Sequence, residues 1–120
     1  MTIRRSAKEF ILQRFPFAAR NRFYTSRMFE AADGPAYYDD WWFQFPVGLI
    51  DETDFVVFAG AMDSNFKKFR VFKVPASYLR SNLDKMEVTS KGYAYLYIHL
   101  RSFEDLRKKA GISFKPFALN

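Results

Sequence analysis

From Tyr93 to Leu100 the chain reads YAYLYIHL, an unbroken two-residue alternation. Successive side chains of an extended strand point to opposite faces, so this period fits a half-buried strand and not a helix. Ala94, Leu96, Ile98 and Leu100 form an aliphatic face. Tyr93, Tyr95, Tyr97 and His99 form the other, a row of amphipathic rings. A chain with such a strand must also supply a sheet for it to join and a layer to cover the aliphatic side.

The remaining segments offer both. Ser6-Ala-Lys-Glu9 reads as a capping box opening a helix, with Phe10, Ile11, Leu12 and Phe15 as its apolar face and Pro16 as its stop. Residues 17 to 29 suit either a strand around RFYTS or a longer helix. AADGPA is a turn. In YYDDWWFQF, Trp41, Phe43 and Phe45 oppose Trp42 and Gln44; both sets are largely apolar, which predicts a central strand covered on both sides. DFVVFAG (54 to 60) and FRVFKVP (69 to 75) read as two further strands. Tyr78, Leu79, Leu83 and Met86 sit at helical spacing over residues 77 to 86. Ser102, Glu104, Asp105, Lys108, Lys109 and Gly111 carry the cap, charge order and stop of a last helix. The tail ISFKPFALN packs by Phe114 and Phe117. The order predicts a single α/β (α+β) domain over residues 1 to 120, with a central mixed sheet of four or five strands flanked by helices. Aromatic residues make up 20% of the 120, enough for a small domain to build its core from rings.

Composition closes several routes. The chain has no cysteine, so disulfides and thiolate metal sites are excluded, and one histidine, His99, so a multi-histidine centre within one chain is excluded too. There is no apolar run long enough to span a membrane. The opening MTIRRSAKEF lacks the apolar segment of a secretory signal, and a cytoplasmic location is the expectation. The five glycines form no phosphate-binding loop pattern.

Charge is distributed in blocks. Residues 1 to 29 hold seven basic groups against Glu9, residues 30 to 63 hold eight acids and no lysine or arginine, and residues 64 to 120 hold twelve basic groups against four acids. The net values, +6, −8 and +8, sum to the formal +6. Either the blocks neutralise one another across the fold, or a basic rim surrounds an acidic centre, as in sites that hold phosphodiesters and a metal.

Three constellations are candidates for function. Arg20, Arg22 and Arg27 flank Phe23 and Tyr24, an interleaving suited to nucleic-acid contacts, and Lys67, Lys68 and Arg70 extend the set of phosphate-holding cations. Pairing with the acidic block is the competing role for the arginines. The Tyr93, Tyr95, Tyr97 and His99 row suits base stacking, unless a helix or a partner chain covers it. Asp39 and Asp40, with Asp51 and Asp54, are the carboxylates from which a magnesium site would have to come. Adjacent strand residues face opposite sides, so Asp39 and Asp40 share an ion only if the chain turns there. No metal is otherwise expected, and His99 lacks the nucleophile and orienting acid of a catalytic base.

The run TSRMFEAADGPAYYDDWWFQFP, then DFVVFAG, then MDSNFKKFRVFKVP and a helix, is similar to restriction-endonuclease-like proteins of the PD-(D/E)XK superfamily. The C-terminal YLYIHLRSFEDLRKKAGISFKPFALN resembles the way such small domains finish. The resemblance covers roughly residues 6 to 120 and rests on pattern and order. It implies a restriction-endonuclease-like sheet. That family cleaves with an Asp, a Glu or Gln and a Lys on adjacent strands. If Tyr24-Thr25-Ser26 takes the place of the family's Lys-Thr-Ser segment, Tyr24 replaces the lysine and Arg22 the acidic or amide ligand. The one acid upstream is Glu9, on the first helix. The resemblance therefore implies a degenerate, non-cleaving relative that binds DNA or a partner protein. The leading functional expectation is thus a nucleic-acid-associated module without a complete catalytic metal site. A homodimer or complex subunit sealed through the tyrosine face ranks second. A magnesium-dependent endonuclease with a site migrated to Asp39, Asp40, Asp51 or Asp54 ranks third.

Overall fold

The computed structural model describes residues 2–34, 38–105 and 111–120. The chain opens with helix α1, Ile3–Arg14, whose N-cap is Thr2: its hydroxyl accepts a hydrogen bond from the Arg5 amide at 3.2 Å. The expected cap at Ser6 is one turn too late. The Ser6 amide already donates to the Thr2 carbonyl at 3.1 Å, and Glu9 lies 3.8 Å from Arg5 one turn back instead of capping. The stop is where Pro16 places it, with Phe15 leaving helical geometry at φ −138° and ψ 62°.

The strands are β1 (Phe23–Ser26), β2 (Met28–Phe29), β3 (Asp40–Pro46), β4 (Phe55–Ala61), β5 (Phe69–Pro75), β6 (Glu87–Val88), β7 (Tyr93–His99), β8 (Glu104–Asp105) and β9 (Ile112–Ser113). Helix α2, Ala76–Asn82, follows β5 and tightens into a 3-10 turn over Leu83–Lys85. The protein is an α+β domain, but its strands do not form one central sheet. They form a mixed sheet in the order β1-β4-β5, an antiparallel sheet in the order β2-β3-β7-β6, and a β8-β9 ribbon. The division falls at Arg27, where one extended run leaves the first sheet and enters the second. At that join the Ser26 hydroxyl accepts from the Trp42 amide at 2.9 Å and donates to the Arg27 carbonyl at 2.7 Å. A side chain thus stands where a continuous ladder would have placed backbone.

The layers stack as α1, then β1-β4-β5, then β2-β3-β7-β6. Ala7 and Ile11 of α1 pack on Val57, Ala59 and Val71, one face of the mixed sheet. Its other face, with Val56, Phe58, Phe72 and Val74, meets Trp41, Phe43, Phe45, Leu96 and Ile98 of the second sheet. The sheets pack closely at Gly60. A Cβ there would lie 2.5 Å from the Trp41 indole, whose Nε1 donates to the Ala61 carbonyl at 2.8 Å. Glycine is what the crossing requires.

The C-terminal segment departs from expectation. Glu104 and Asp105 do not open a helix; they are extended and pair with Ser113 and Ile112. Residues 106 to 110, including Lys108 and Lys109, lie outside the described residues. The acid intended for a helix start serves the sheet: an Asp105 carboxylate oxygen accepts from the Tyr97 amide at 3.2 Å, on the part of β7 that β6 does not reach. The chain then turns back along β5. Leu119 donates to the Val71 carbonyl, while the Asn120 side chain accepts from the Val71 amide at 3.0 Å and donates to the Phe69 carbonyl at 2.7 Å. Phe114 is buried, and the Phe117 ring lies 4.7 Å from that of Tyr78.

Candidate functional site

The β3–β7 register decides which side chains share a face. Trp41 lies opposite Ile98, Phe43 opposite Leu96 and Phe45 opposite Ala94, all buried between the sheets. One residue out of phase, Trp42 faces Tyr97, Gln44 faces Tyr95 and Pro46 faces Tyr93. This second set forms the outer face of the domain. Trp42 is 40% exposed and Tyr93 38%, and Gln44 is exposed as well. The expectation that β3 is covered on both sides is therefore corrected. β3 is central in its sheet, yet among the described residues only its Trp41 side meets another layer.

The outer rings form a connected surface. Trp42 stacks on Tyr97 at 5.8 Å with 19° between planes, and meets Tyr95 edge-on at 5.5 Å. Phe29, carried by β2, adds a ring 6.2 Å from Trp42. Cross-strand ring pairs of this kind stabilise the sheet and also leave faces open to ligands. Arg27 lies over the Phe29 ring at 4.1 Å, steadied by a bond from its guanidinium to the Met28 carbonyl. Arg4 of α1 lies over Phe23 at 4.2 Å and donates to the Phe23 carbonyl at 3.0 Å. Arg4, Tyr24, Thr25, Trp42 and Gln44 line an open depression of about 340 Å³. Two guanidiniums thus border a patch of stacked rings. The face also carries Glu87, opposite Tyr95, so its charge is mixed.

Of the basic residues expected to hold phosphates, the structure gathers some and separates others. Arg27 follows Ser26, which pairs with Gly60, and Gly60 pairs with Arg70. Arg27 and Arg70 therefore sit at one end of the mixed sheet. Arg20 and Arg22, both exposed, precede β1 at the other end, and the Arg22 carbonyl accepts from Val57. Lys67 and Lys68 lie in the loop between β4 and β5. A single patch of Arg20, Arg22, Arg27, Lys67, Lys68 and Arg70 is not formed.

The carboxylates are further apart. Asp40 opens β3, whereas Asp51 and Asp54 follow its far end; six residue steps of a strand span roughly 20 Å. Asp39 adopts a left-handed φ of 58° and ties two turns, accepting from the Ala31 amide at 2.8 Å and lying 3.7 Å from Arg101. Asp40 is buried across from His99, whose Nδ1 accepts from the Arg101 and Ser102 amides. Asp51 pairs with Arg80 at the surface. Among the described residues no three Asp, Glu or His side chains gather as metal ligands.

The sequence singles out the tyrosine row and Arg27, whereas Phe29, Trp42, Gln44 and Arg4 join them on this face only in the fold. Trp42 and Gln44 carried a signal, since they alternate out of phase with Trp41 just as the tyrosines do with Leu96. Nothing in the sequence pairs the two strands. No helix among the described residues is long and apolar enough to cross a membrane. Comparison with protein-family models, curated proteins and solved structures returns no match.

Proposed function

We propose that the outer face of the β2-β3-β7-β6 sheet binds single-stranded nucleic acid. Bases stack on Trp42, Tyr95 and Tyr97, and Arg27 and Arg4 hold flanking phosphates. The observation that carries this reading is the stack itself: Trp42 on Tyr97, with Trp42 40% exposed and guanidiniums at both borders. Each base stacked on an aromatic side chain contributes about 1–3 kcal/mol, whatever its identity. Duplex DNA keeps its bases paired and offers only its phosphates, so single strands bind more tightly.

The similarity to restriction-endonuclease-like proteins enters the proposal at one point. If Tyr24-Thr25-Ser26 takes the place of the family's Lys-Thr-Ser segment, Arg22 and Tyr24 stand at its ligand and lysine positions, and the module is a non-cleaving one. Fluorescence anisotropy with labelled oligothymidylate and with duplex DNA tests the binding. We expect micromolar affinity for the single strand, falling with salt at a slope of about −0.7 per phosphate held. Absence of salt-sensitive binding at micromolar protein would refute the reading. The exposed Trp42 and Tyr93 also favour a second reading, a second copy of the chain seated on the same face. Light scattering showing a dimer that dissociates on Trp42→Ala would support that alternative.

A further inference from the structure

Between α1 and the β4–β5 hairpin lies a depression of about 290 Å³ lined by Phe10, Arg14, Met62, Lys68, Phe69, Arg70 and Asn120. Three of these side chains are cations and none is acidic. From these residues we infer a binding site for a phosphate-type oxyanion, held by Arg14, Lys68 and Arg70. It is independent of the aromatic face, which belongs to the other sheet.

Four observations carry the inference. None of the three cations forms an ion pair among the described residues, although Arg5, Arg80 and Arg101 all do. Arg70 is half-buried on the Phe103 ring at 5.2 Å, and its Nε is buried without a hydrogen-bond partner among the described residues. The Arg70 guanidinium is thus held half-buried, with no carboxylate against it among the described residues. Asp63, the acid of the same loop, directs one carboxylate oxygen at the Lys67 amide (3.0 Å) and does not line the depression. Asn120, the uncharged polar residue of the lining, has both side-chain polar atoms committed to β5. The positive charge is therefore left for a ligand to neutralise. Two guanidinium planes and one ammonium suit an anion with several oxygens, which makes phosphate a better fit than a single carboxylate.

The sequence hid this site because its members are far apart: Arg14 closes α1, and Lys68 and Arg70 sit more than fifty residues later. The β4–β5 register, with Ala61 opposite Phe69 and Gly60 opposite Arg70, brings the hairpin under the helix end.

Titration of isotope-labelled protein with pyrophosphate, followed by amide NMR at constant ionic strength, tests the site, with acetate as comparator. We expect saturable shifts centred on Arg14, Met62, Lys68 and Arg70 in the millimolar range or below, and none from acetate. The exposed pair Arg14→Gln and Lys68→Ser should weaken pyrophosphate binding about tenfold or more while leaving the rest of the spectrum in place. Arg70→Gln should do the same, but its partial burial makes the exposed pair the cleaner test. Shifts that acetate reproduces, or a double variant that binds pyrophosphate as wild type does, would overturn the inference. A parallel titration with oligothymidylate separates the sources of the phosphate. If the double variant loses pyrophosphate but keeps the strand, the ligand is a free phosphorylated molecule; if it loses both, the site holds the backbone of the strand.

Discussion

The two main sheets pack face to face, but their backs differ. Behind the β1-β4-β5 sheet lies α1, and the buried side chains there are purely apolar: Val57, Ala59, Ala61, Val71 and Phe69, with Lys73 set over the Phe17 and Phe55 rings. Behind the β2-β3-β7-β6 sheet no described element lies over Trp42, Gln44, Tyr93 and Tyr95, which carry polar atoms on large side chains. A covered face requires close packing and tolerates no unsatisfied polar group. An open face requires groups that lie flat on the sheet while meeting water, which Tyr and Trp do. The contrast shows that aromatic content alone does not distinguish core from surface. The kind of ring and its strand phase do so.

Four substitutions would sharpen or break that contrast. The largest effect belongs to the inner face. Phe43→Ala removes a fully buried ring 5.1 Å from Phe58 and should cost about 3–5 kcal/mol in urea unfolding, with oligonucleotide contacts untouched if the protein still folds. Gly60→Ala comes next. Its methyl meets the Trp41 ring and forces the sheets apart, for a loss of about 1–3 kcal/mol, read out also as a red shift of Trp41 fluorescence. On the outer face the order of effects reverses. Trp42→Ala should lower stability by only about 1 kcal/mol, through lost cross-strand contacts, yet weaken single-strand binding about tenfold. Equal loss of stability from Phe43→Ala and Trp42→Ala would mean that both faces are core. The smallest effect is expected from Tyr95→Phe, which keeps the ring and should change binding by less than about twofold in anisotropy.

How far these contrasts are legible in the sequence depends on their range. The bounds of β5, those of β7 to within one residue and the stop of α1 before Pro16 follow from local patterns, and the structure matches them. Partition into two sheets does not, because the break at Arg27 depends on which strands β1 and β2 find. The expected start of the last helix is extended for a related reason. Glu104 and Asp105 have the charge of a helix start, but Ile112 and the open edge of β7 compete for them and win. The candidate surfaces follow the same rule. The tyrosine row was readable within eight residues, whereas its union with Trp42, and that of Arg14 with Lys68 and Arg70, arise only through strand register.

The Asn120 amide has a consequence of its own. By accepting from Val71 and donating to Phe69, a primary amide reproduces the two-point pattern by which a neighbouring polypeptide would dock on β5. It works as a molecular plug, occupying the sticky seam of the mixed sheet without inviting another layer. Asn120→Ala would unplug that seam, and the variant should self-associate on storage through Phe69 and Val71 even though its interior is unchanged.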